Sequence, residues 1–271
     1  MTKCPKKLRL DLHLLTKGIV SSRHQAQLLI RAGKVRDING QLLDKPGQEV
    51  SGELQLRVET TPRFVSRGGE KLVAALETFP LEVKGRICLD GGISTGGFTD
   101  CLLQHGAQRI YGIDVGYGQT AWSIRQDPRV VLKERTNLRT LTPEMLYSSK
   151  DLLPSLAVAD LSFISLKIII PSIKGLMNFN QSEAIFLVKP QFEVGRNLVG
   201  KGGIVREAFA HEEALQGVID EAIRNQFIPK GLIASPIRGA AGNQEYLLWL
   251  SSEGVKKLPS IKELVRNSLC D

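Results

Sequence analysis

The stretch Asp90-Gly-Gly-Ile-Ser-Thr-Gly-Gly-Phe-Thr-Asp100 decides the fold, because it joins a short apolar run, Ile87–Leu89, to a segment with helical character. A glycine-rich loop at the carboxyl end of a strand lets the backbone approach a bound ligand. Further apolar runs of strand length alternate with helical patterns toward the C-terminus, at 110–113, 130–132, 156–159, 184–188, 229–234 and 246–250. This alternation predicts an α/β, Rossmann-like domain with a mostly parallel, seven-stranded sheet covered on both faces.

The loop differs from the G-x-G-x-x-G pattern of dinucleotide-binding folds, because the acid Asp90 opens it and its glycines are spaced differently. Asp114 ends the next strand, at the place of a ribose-binding acid. These features favour S-adenosylmethionine, which has an amino group and a ribose but no phosphates, although tight-turn packing would also explain the glycines. The predicted cofactor-binding residues are Asp90, Gly92, Ser94, Thr95, Gly96, Gly97, Asp114 and Asp160.

Four ionisable residues lie at strand ends or just before the sheet, namely Lys71, Asp160, Lys189 and Glu245. Each alone would also fit a surface charge that ends a strand. Charged residues are rarely buried unless they are paired, and strand ends converge on the ligand crevice of an open α/β sheet. Two lysines and two carboxylates beside S-adenosylmethionine suit methyl transfer to a ribose 2′-hydroxyl, which needs a base within reach and an in-line approach.

Within this predicted catalytic group, we assign Lys189 as the base. Lys71 is expected to favour proton loss from Lys189 and to steer a nucleotide flanked by phosphates. Asp160 and Glu245 are expected to orient the ammonium groups and the hydroxyl. A second ammonium favours a neutral lysine whereas carboxylates oppose it, so the sequence leaves that balance open.

Positive charge is concentrated in the first 36 residues. They carry nine Lys and Arg against a single acid, Asp11, which gives +8, while the remaining 27 basic and 27 acidic side chains cancel. A one-ended excess favours a nucleic-acid partner, since neutralised phosphates release counterions. A solvated surface that only aids solubility is the alternative.

The basic segment also has regular structure in its pattern. Apolar spacing predicts helices over about 9–17 and 23–32. Asn39-Gly40 predicts a strand–turn–strand hairpin over 35–43. Two helices and a hairpin make a module of about 60 residues, a size that is only marginally stable by itself.

Short motifs of this module match a known family. They are Arg9-Leu-Asp11, Ser22-Arg-x-x-Ala26-x-x-Leu29-Ile30-x-x-Gly33-x-Val35, Asn39-Gly40 and Lys45-Pro46. The module resembles the small α+β S4 RNA-binding domain, and this resemblance implies structured RNA as the partner, held mainly through its backbone. The candidate RNA contacts are Lys7, Arg9, Arg23, Arg31, Lys34 and Lys45. Simple solvent exposure is an equal alternative for Arg31 and Lys34.

Motifs in the rest of the chain follow in order over about 185 residues. They are Phe64-Val-Ser-Arg-Gly-Gly-Glu-Lys-Leu72, the loop beginning at Asp90, Gly112-Ile-Asp-Val-Gly-Tyr-Gly-Gln119, Asp160-Leu-Ser-Phe-Ile-Ser-Leu166, Val188-Lys-Pro-Gln-Phe-Glu-Val-Gly195, Gly200-Lys-Gly-Gly-Ile-Val205 and Gly242-Asn-x-Glu-Tyr-Leu-Leu248. Together with the S4-like module they resemble the TlyA (hemolysin A) family, whose FtsJ/RrmJ-type domain uses a Lys-Asp-Lys-Glu tetrad. The resemblance implies S-adenosylmethionine-dependent 2′-O-methylation of a cytidine in 16S or 23S rRNA, or both, with ribosomal subunits as partners.

Two departures from the family pattern carry expectations. The family usually has a branched residue at 91 and alanine at 93, whereas this chain has Gly91 and Ile93, and we expect Ile93 to add bulk next to the cofactor. The segment Thr61-Pro-Arg-Phe64 differs from the aromatic tetrapeptide of some relatives, so coupling between domains is expected to differ. The predicted organisation is an S4 domain over residues 1–60, a linker over 61–65 and a methyltransferase domain over 66–271.

Amino-acid composition argues against several other classes of protein. A chain with 42% hydrophobic and 24% charged residues is typical of globular proteins. Its apolar runs are too short to span a bilayer, and we expect no signal peptide, no membrane partner and a cytoplasmic location. The four cysteines and four histidines are scattered, so no metal site is expected. A catalytically inactive rRNA-binding assembly factor is the main alternative function. A membrane-lytic hemolysin is a weaker one, and the oligomeric state stays open.

Overall fold

A computed structural model of the 271-residue chain describes residues 7–59, 62–179 and 181–270. The chain divides into two units, Met1–Pro62 and Arg63–Asp271. The organisation predicted from the sequence stays a prediction in its boundaries, and Thr61 of the predicted linker lies outside the described residues.

The N-terminal unit consists of two short helices and two pairs of antiparallel strands. These are β1 (Lys7–Arg9), α1 (Leu10–Thr16), α2 (Arg23–Arg31), β2 (Val35–Asp37), β3 (Glu49–Ser51) and β4 (Leu56–Val58). The Ser22 hydroxyl caps α2 by accepting a hydrogen bond from the backbone N–H of Gln25 at 3.2 Å. Apolar side chains of both helices, including Leu14 and Ile30, pack with the strands in one small core. Both predicted helices are confirmed, with ends within one residue of those expected.

The hairpin predicted around Asn39-Gly40 forms, but its paired part is short. Gly40 has a φ of 85° and donates its N–H to the Asp37 carbonyl. The returning chain makes an antiparallel bridge to β2, between Arg36 and Leu42, and its Leu43 side chain is buried in the small core. β2 also pairs with β4, which the sequence reasoning did not predict. Packing of β4 side chains against the same core favours this distant pairing.

The C-terminal unit is built on a seven-stranded sheet in the order β10-β11-β9-β8-β5-β6-β7. Its strands are β5 (Ile87–Gly91), β6 (Arg109–Ile113), β7 (Val130–Lys133), β8 (Leu156–Ala159), β9 (Glu183–Val188), β10 (Ile228–Ala234) and β11 (Tyr246–Ser251). Strands β5 to β9 pair in parallel, and β11 is antiparallel to both neighbours, β9 and β10. The predicted mostly parallel sheet is confirmed, and each predicted strand is present within two residues of its expected ends.

Helices cover both faces of this sheet. They are α3 (Gly68–Thr78), α4 (Gly97–Gln104), α5 (Trp122–Arg125), α6 (Pro143–Leu146), α7 (Leu166–Gly175), α8 (Pro190–Glu193), α9 (Ala208–Arg224) and α10 (Ile261–Leu269). Successive strand residues alternate between two cores, since Leu89 and Ala157 face one while Cys88 and Val158 face the other. Because both faces are buried, the strands read as continuous apolar runs. The carboxyl ends of the parallel strands meet at one edge, where the candidate site lies.

Across residues 7–59, 62–179 and 181–270, no helix has both the length and the apolar character that crossing a membrane requires.

Candidate active site

A cavity of about 380 Å³ opens at the carboxyl ends of β5, β6 and β8. Its wall includes four of the residues predicted to bind the cofactor, namely Gly92, Ser94, Asp114 and Asp160. Cavities of this size are typical of small-molecule sites in α/β proteins.

The loops after β5 and β6, which form part of this cavity, are held together by one carboxylate. Asp114 follows β6, and its two oxygens accept hydrogen bonds from the backbone N–H groups of Ser94 and Gly116, each at 2.7 Å. Gly92 turns the chain after β5 with a φ of 83°, and a Cβ there would lie 2.8 Å from Cδ2 of Leu161, in the loop after β8. Glycine at 92 therefore allows the loops after β5 and β8 to approach closely.

Asp90 lies beneath the glycine loop and is almost fully buried. One of its oxygens accepts a hydrogen bond from the Thr99 hydroxyl at 2.6 Å, while the other, Oδ1, has no partner among the described residues. Burial raises the pKa of the Asp90 carboxyl to about 7, and the negative charges of Asp160 and Asp114 add to this rise. Asp90 Oδ1 thus has unmet hydrogen-bonding capacity beneath the glycine loop.

The chemistry of the cavity wall fits S-adenosylmethionine better than a phosphate-bearing nucleotide. Within the described part of the chain, the wall contains the carboxylates of Asp114 and Asp160 but no lysine or arginine. A phosphate would need positive partners, whereas a ligand with an ammonium and a sulfonium is attracted by the carboxylates.

Part of the cofactor prediction does not match the cavity wall. Asp90, Thr95, Gly96 and Gly97 are absent from its described lining. Thr95 instead accepts a hydrogen bond through its backbone carbonyl from the Ala121 N–H, and the two glycines pack at the start of α4. The sequence reasoning missed several wall residues on neighbouring loops: Gln119, Asn137, Leu138 and Leu161. These residues lie in the loops just after strands β6, β7 and β8, and this location was the signal that could have identified them.

A second cavity, of about 620 Å³, is lined by all four residues predicted to be catalytic: Lys71, Asp160, Lys189 and Glu245. They form two ion pairs. Lys71 Nζ donates to Glu245 Oε2 at 2.6 Å, and Lys189 Nζ lies 2.7 Å from Asp160 Oδ1. Lys189 also donates to the Ser162 hydroxyl at 2.9 Å. Asp160 Oδ1 accepts no hydrogen bond from the described residues, so its contact with Lys189 is an ion pair outside hydrogen-bonding angles.

Strand direction brings these four side chains to one edge of the sheet. Asp160 and Lys189 directly follow the parallel strands β8 and β9. Glu245 directly precedes β11, which runs the other way, so its start lies at the same edge. Lys71 lies in the first turn of α3, which packs beside α4 and β11. Asp160 lines both cavities and therefore joins them.

Glu193 joins the loops that carry Asp160 and Lys189. Its buried carboxylate accepts hydrogen bonds from the Ser165 hydroxyl at 2.5 Å and from the backbone N–H of Leu166 at 2.7 Å. Burial raises the pKa of Glu193 above its ordinary range. Because Glu193 lies on the short helix that begins after Lys189, these bonds fix the spacing between the two loops.

Phe163 is a site residue that the sequence reasoning did not single out. Its ring is 92% exposed, yet its backbone has a φ of 65°, which an aromatic residue rarely adopts. It lines both cavities and its ring lies 5.4 Å from that of Phe192. A strained, exposed aromatic side chain at a cavity mouth points to a function in binding.

The expectation that Ile93 adds bulk next to the cofactor is wrong. Ile93 is buried, and its side chain packs over Gly112 in the core on the α3–α4 face of the sheet. Gly91 leaves room for Leu138, because a Cβ at position 91 would lie 2.9 Å from Leu138 Cδ2. Ile93 therefore affects packing beneath the loop, whereas Gly91 makes room for Leu138, a residue of the cavity wall.

Comparison with known families agrees with this geometry. Residues 64–252 match the FtsJ-like methyltransferase family, and residues 8–56 match the S4 domain. The chain belongs to the FtsJ-like methyltransferase family. Its two domains also confirm the resemblance to TlyA proteins.

This FtsJ-like methyltransferase has relatives that match it over nearly its whole length. Over 250 residues it is 48% identical to YqxC of Bacillus subtilis, named as a candidate rRNA methyltransferase, with 92% of this chain and 87% of that protein covered. It is 47% identical over 250 residues to the 16S/23S rRNA (cytidine-2′-O)-methyltransferase TlyA of Mycobacterium tuberculosis, covering 92% and 91%. A solved structure of a candidate hemolysin from Streptococcus thermophilus superposes with a TM-score of 0.72 at 41% identity, covering 98% and 96%.

In the S4 domain of this methyltransferase, the six predicted RNA contacts differ in their surroundings. Arg9 and Arg23 both form ion pairs with Asp11, at 3.1 and 2.9 Å. Lys7, Arg31 and Lys45 are exposed, and Lys34 is partly buried. Their assignment as RNA contacts stays a prediction.

Proposed function

We propose that this protein transfers a methyl group from S-adenosylmethionine to the ribose 2′-hydroxyl of a cytidine in ribosomal RNA. One observation carries the proposal: two lysine–carboxylate pairs line a cavity that shares Asp160 with an acid-walled cofactor cavity. The relatives that are named as rRNA methyltransferases support the choice of ribosomal RNA, and the name of the mycobacterial relative supports cytidine in 16S or 23S rRNA.

The catalytic work assigned to this chain is positioning and proton transfer. When it is bound, S-adenosylmethionine supplies an electrophilic methyl group on a sulfonium. Lys189, in its neutral form, accepts the proton of the 2′-hydroxyl, while Asp160 and Ser162 hold the amine in place through contacts of 2.7 and 2.9 Å. Because the same aspartate borders both cavities, the hydroxyl that it orients lies close to the cofactor.

Lys71 supplies fixed positive charge to the second cavity. Its ammonium is held by Glu245 at 2.6 Å, so it keeps one position while the substrate enters. A positive group there favours a nucleotide whose ribose is flanked by phosphates. Phe163 and Phe192 offer an aromatic surface on which an unstacked base can lie.

The S4 domain would deliver ribosomal subunits to this site through its basic residues, which places the reaction in the cytoplasm, where ribosomes are. Binding through phosphates is sensitive to salt, so recruitment is expected to weaken steeply as the salt concentration rises.

The proposal is tested by incubating the purified chain with methyl-labelled S-adenosylmethionine and ribosomal subunits from cells that lack the gene. Digestion of the rRNA to nucleosides should yield labelled 2′-O-methylcytidine. Lys189→Ala should reduce labelling by about 10²-fold or more, while RNA binding persists. Lys150→Ala, at an exposed lysine outside the described walls of both cavities, is the matched control and should label normally.

Different failures have different meanings. RNA binding without any labelling would favour an inactive ribosome-assembly factor. Full labelling by Lys189→Ala would remove the base assignment but leave the methyltransferase function. Lysis of protein-free vesicles by the purified chain, with no labelling of rRNA, would favour the hemolysin alternative.

A further inference from the structure

The single acid in the basic first 36 residues is not a solvated surface group. Asp11 is 0% exposed, although it lies among the residues that give this segment its charge of +8. Burial of an isolated carboxylate is costly, so the side chains around it must meet its charge and its hydrogen-bonding capacity.

Three side chains donate to the Asp11 carboxylate. Arg9 donates through Nε and one terminal nitrogen at 3.2 and 3.1 Å, Arg23 through Nε at 2.9 Å, and Gln27 through its amide at 3.0 Å. The backbone N–H of Leu12 adds a bond at 2.9 Å. These bonds hold the pKa of the Asp11 carboxyl well below its usual range, with the Arg9 hydrogen bond as the largest cause. The carboxylate is thus fully charged and joins β1, α1 and α2.

The two arginines keep donors for a ligand. Their side chains are 45% and 49% exposed even while they contact Asp11. Arg23 uses only Nε on the acid, and its two terminal nitrogens make no hydrogen bond with the described residues. The Arg9 guanidinium lies over the chain at Gly47, since a Cβ there would be 3.4 Å from one of its terminal nitrogens. Each guanidinium is therefore fixed on one side and open on the other.

We propose that Asp11 is a positioning residue, which holds Arg9 and Arg23 in the orientation that binds RNA phosphates. This inference rests on the proposed function, in which RNA is the substrate of the protein. An arginine that is fixed in advance loses less side-chain freedom on binding, and its planar group presents two donors at once to a phosphate. The acid thus strengthens binding to a polyanion, which is the opposite of what its charge alone would do.

The direction in which RNA affinity changes when Asp11 is replaced tests this proposal. Asp11→Asn keeps the shape and raises the net charge by one, so charge alone predicts tighter binding. If Asp11 acts by positioning, the full-length Asp11→Asn variant should bind 16S and 23S rRNA transcripts about tenfold more weakly, as measured by filter binding at about 50 to 200 mM KCl. In a variant that also carries Arg9→Gln and Arg23→Gln, the same change should have no further effect, because the groups through which it acts are gone.

A second variant decides the question if Asp11→Asn unfolds the S4 domain, which thermal unfolding of the chain would reveal. Arg23→Lys keeps the positive charge at this exposed position. A lysine ammonium, however, cannot contact Asp11 and at the same time present a planar pair of donors to a phosphate. The substitution should weaken binding about fivefold. Arg57→Lys is the matched control in the same domain, because Arg57 is exposed on β4 and is not one of the six predicted RNA contacts, and it should bind as the unaltered chain does.

The outcomes separate this inference from the proposed function. Equal or tighter binding by a folded Asp11→Asn variant would overturn the inference, as would equal affinities for Arg23→Lys and Arg57→Lys. Either result leaves RNA methylation intact. Failure of the unaltered chain to bind rRNA at all would instead overturn the proposed function, and this inference with it.

Discussion

Replacing Glu245 with glutamine should destabilise the methyltransferase domain as well as inactivate it. Glu245 Oε2 lies 2.6 Å from Lys71 Nζ, and the two side chains are only 3% and 10% exposed. Glutamine keeps the shape of glutamate but not its charge. It therefore leaves the Lys71 ammonium in a poorly solvated place without a counter-charge.

The size of the effect follows from this burial. Removing one partner of a buried ion pair costs about 3–5 kcal/mol. We expect about 3 kcal/mol, at the low end of that range, because the pair lines a cavity that admits water. In a domain of 150–250 residues, each kcal/mol lowers Tm by about 2–4 °C, so Tm should fall by about 6–12 °C.

Differential scanning calorimetry of the full chain, without cofactor and at neutral pH, measures this shift. Lys71→Met combined with Glu245→Gln should restore much of the lost Tm, because no unpaired charge remains. Glu221→Gln is the control, since its partner Arg224 is 65% exposed and exposed ion pairs contribute little. A Glu245→Gln variant that melts within about 2 °C of the unaltered chain would refute the reasoning. A double variant as unstable as Glu245→Gln alone would do the same.

Three further predictions concern the rest of the site. Phe163→Gly should lower the rate of methyl transfer about tenfold, because the nucleobase of the substrate loses its aromatic surface. Tm should not fall, because glycine adopts the positive φ freely. An unchanged rate of methyl transfer would contradict this prediction. Asp114→Ala should weaken the affinity for S-adenosylmethionine about tenfold, as measured by titration calorimetry, because the Ser94 and Gly116 N–H groups lose their acceptor. The affinity of the same variant for RNA serves as the internal control and should not change. Burial raises the pKa of Asp90 from 3.8 to about 7, so its contribution to stability is fully present below about pH 3.8 and is lost as pH rises through about 7. Asp90→Asn should therefore flatten the decline in urea-unfolding free energy between pH 4 and 7, a range set by those two pKa values, and an unchanged slope would exclude this role.

Much of the fold was predictable because its signals are local. Strands buried on both faces must be continuous apolar runs, so β5 to β11 could be drawn from hydrophobicity alone. The two helices of the basic segment could likewise be read from spacing, and α2 also from its Ser22 cap. The turn at Asn39-Gly40 was predictable because it is local. The pairing of β2 with β4 was not, because it depends on packing of Leu56 and Val58 against the core.

The candidate site was predictable to a smaller extent. Residues at strand ends could be named, because the edge of a parallel sheet gathers them. The side chain of Ile93 could not be placed, since its direction depends on the space above Gly112 in the neighbouring strand. Phe163 carried no signal in its residue type, because its strain and its exposure are properties of the folded loop.

By itself, the sequence determined the domain types and the segment that holds the excess charge, and it named the residues proposed to carry the chemistry, since these depend on composition and on short-range patterns. The tertiary structure decided which of those charges meet. It paired Lys71 with Glu245, which lie 174 residues apart, through the reversed direction of β11, and it buried Asp11 between two arginines. Such pairings depend on strand order and on the balance between desolvation and contact, which no short stretch of chain encodes.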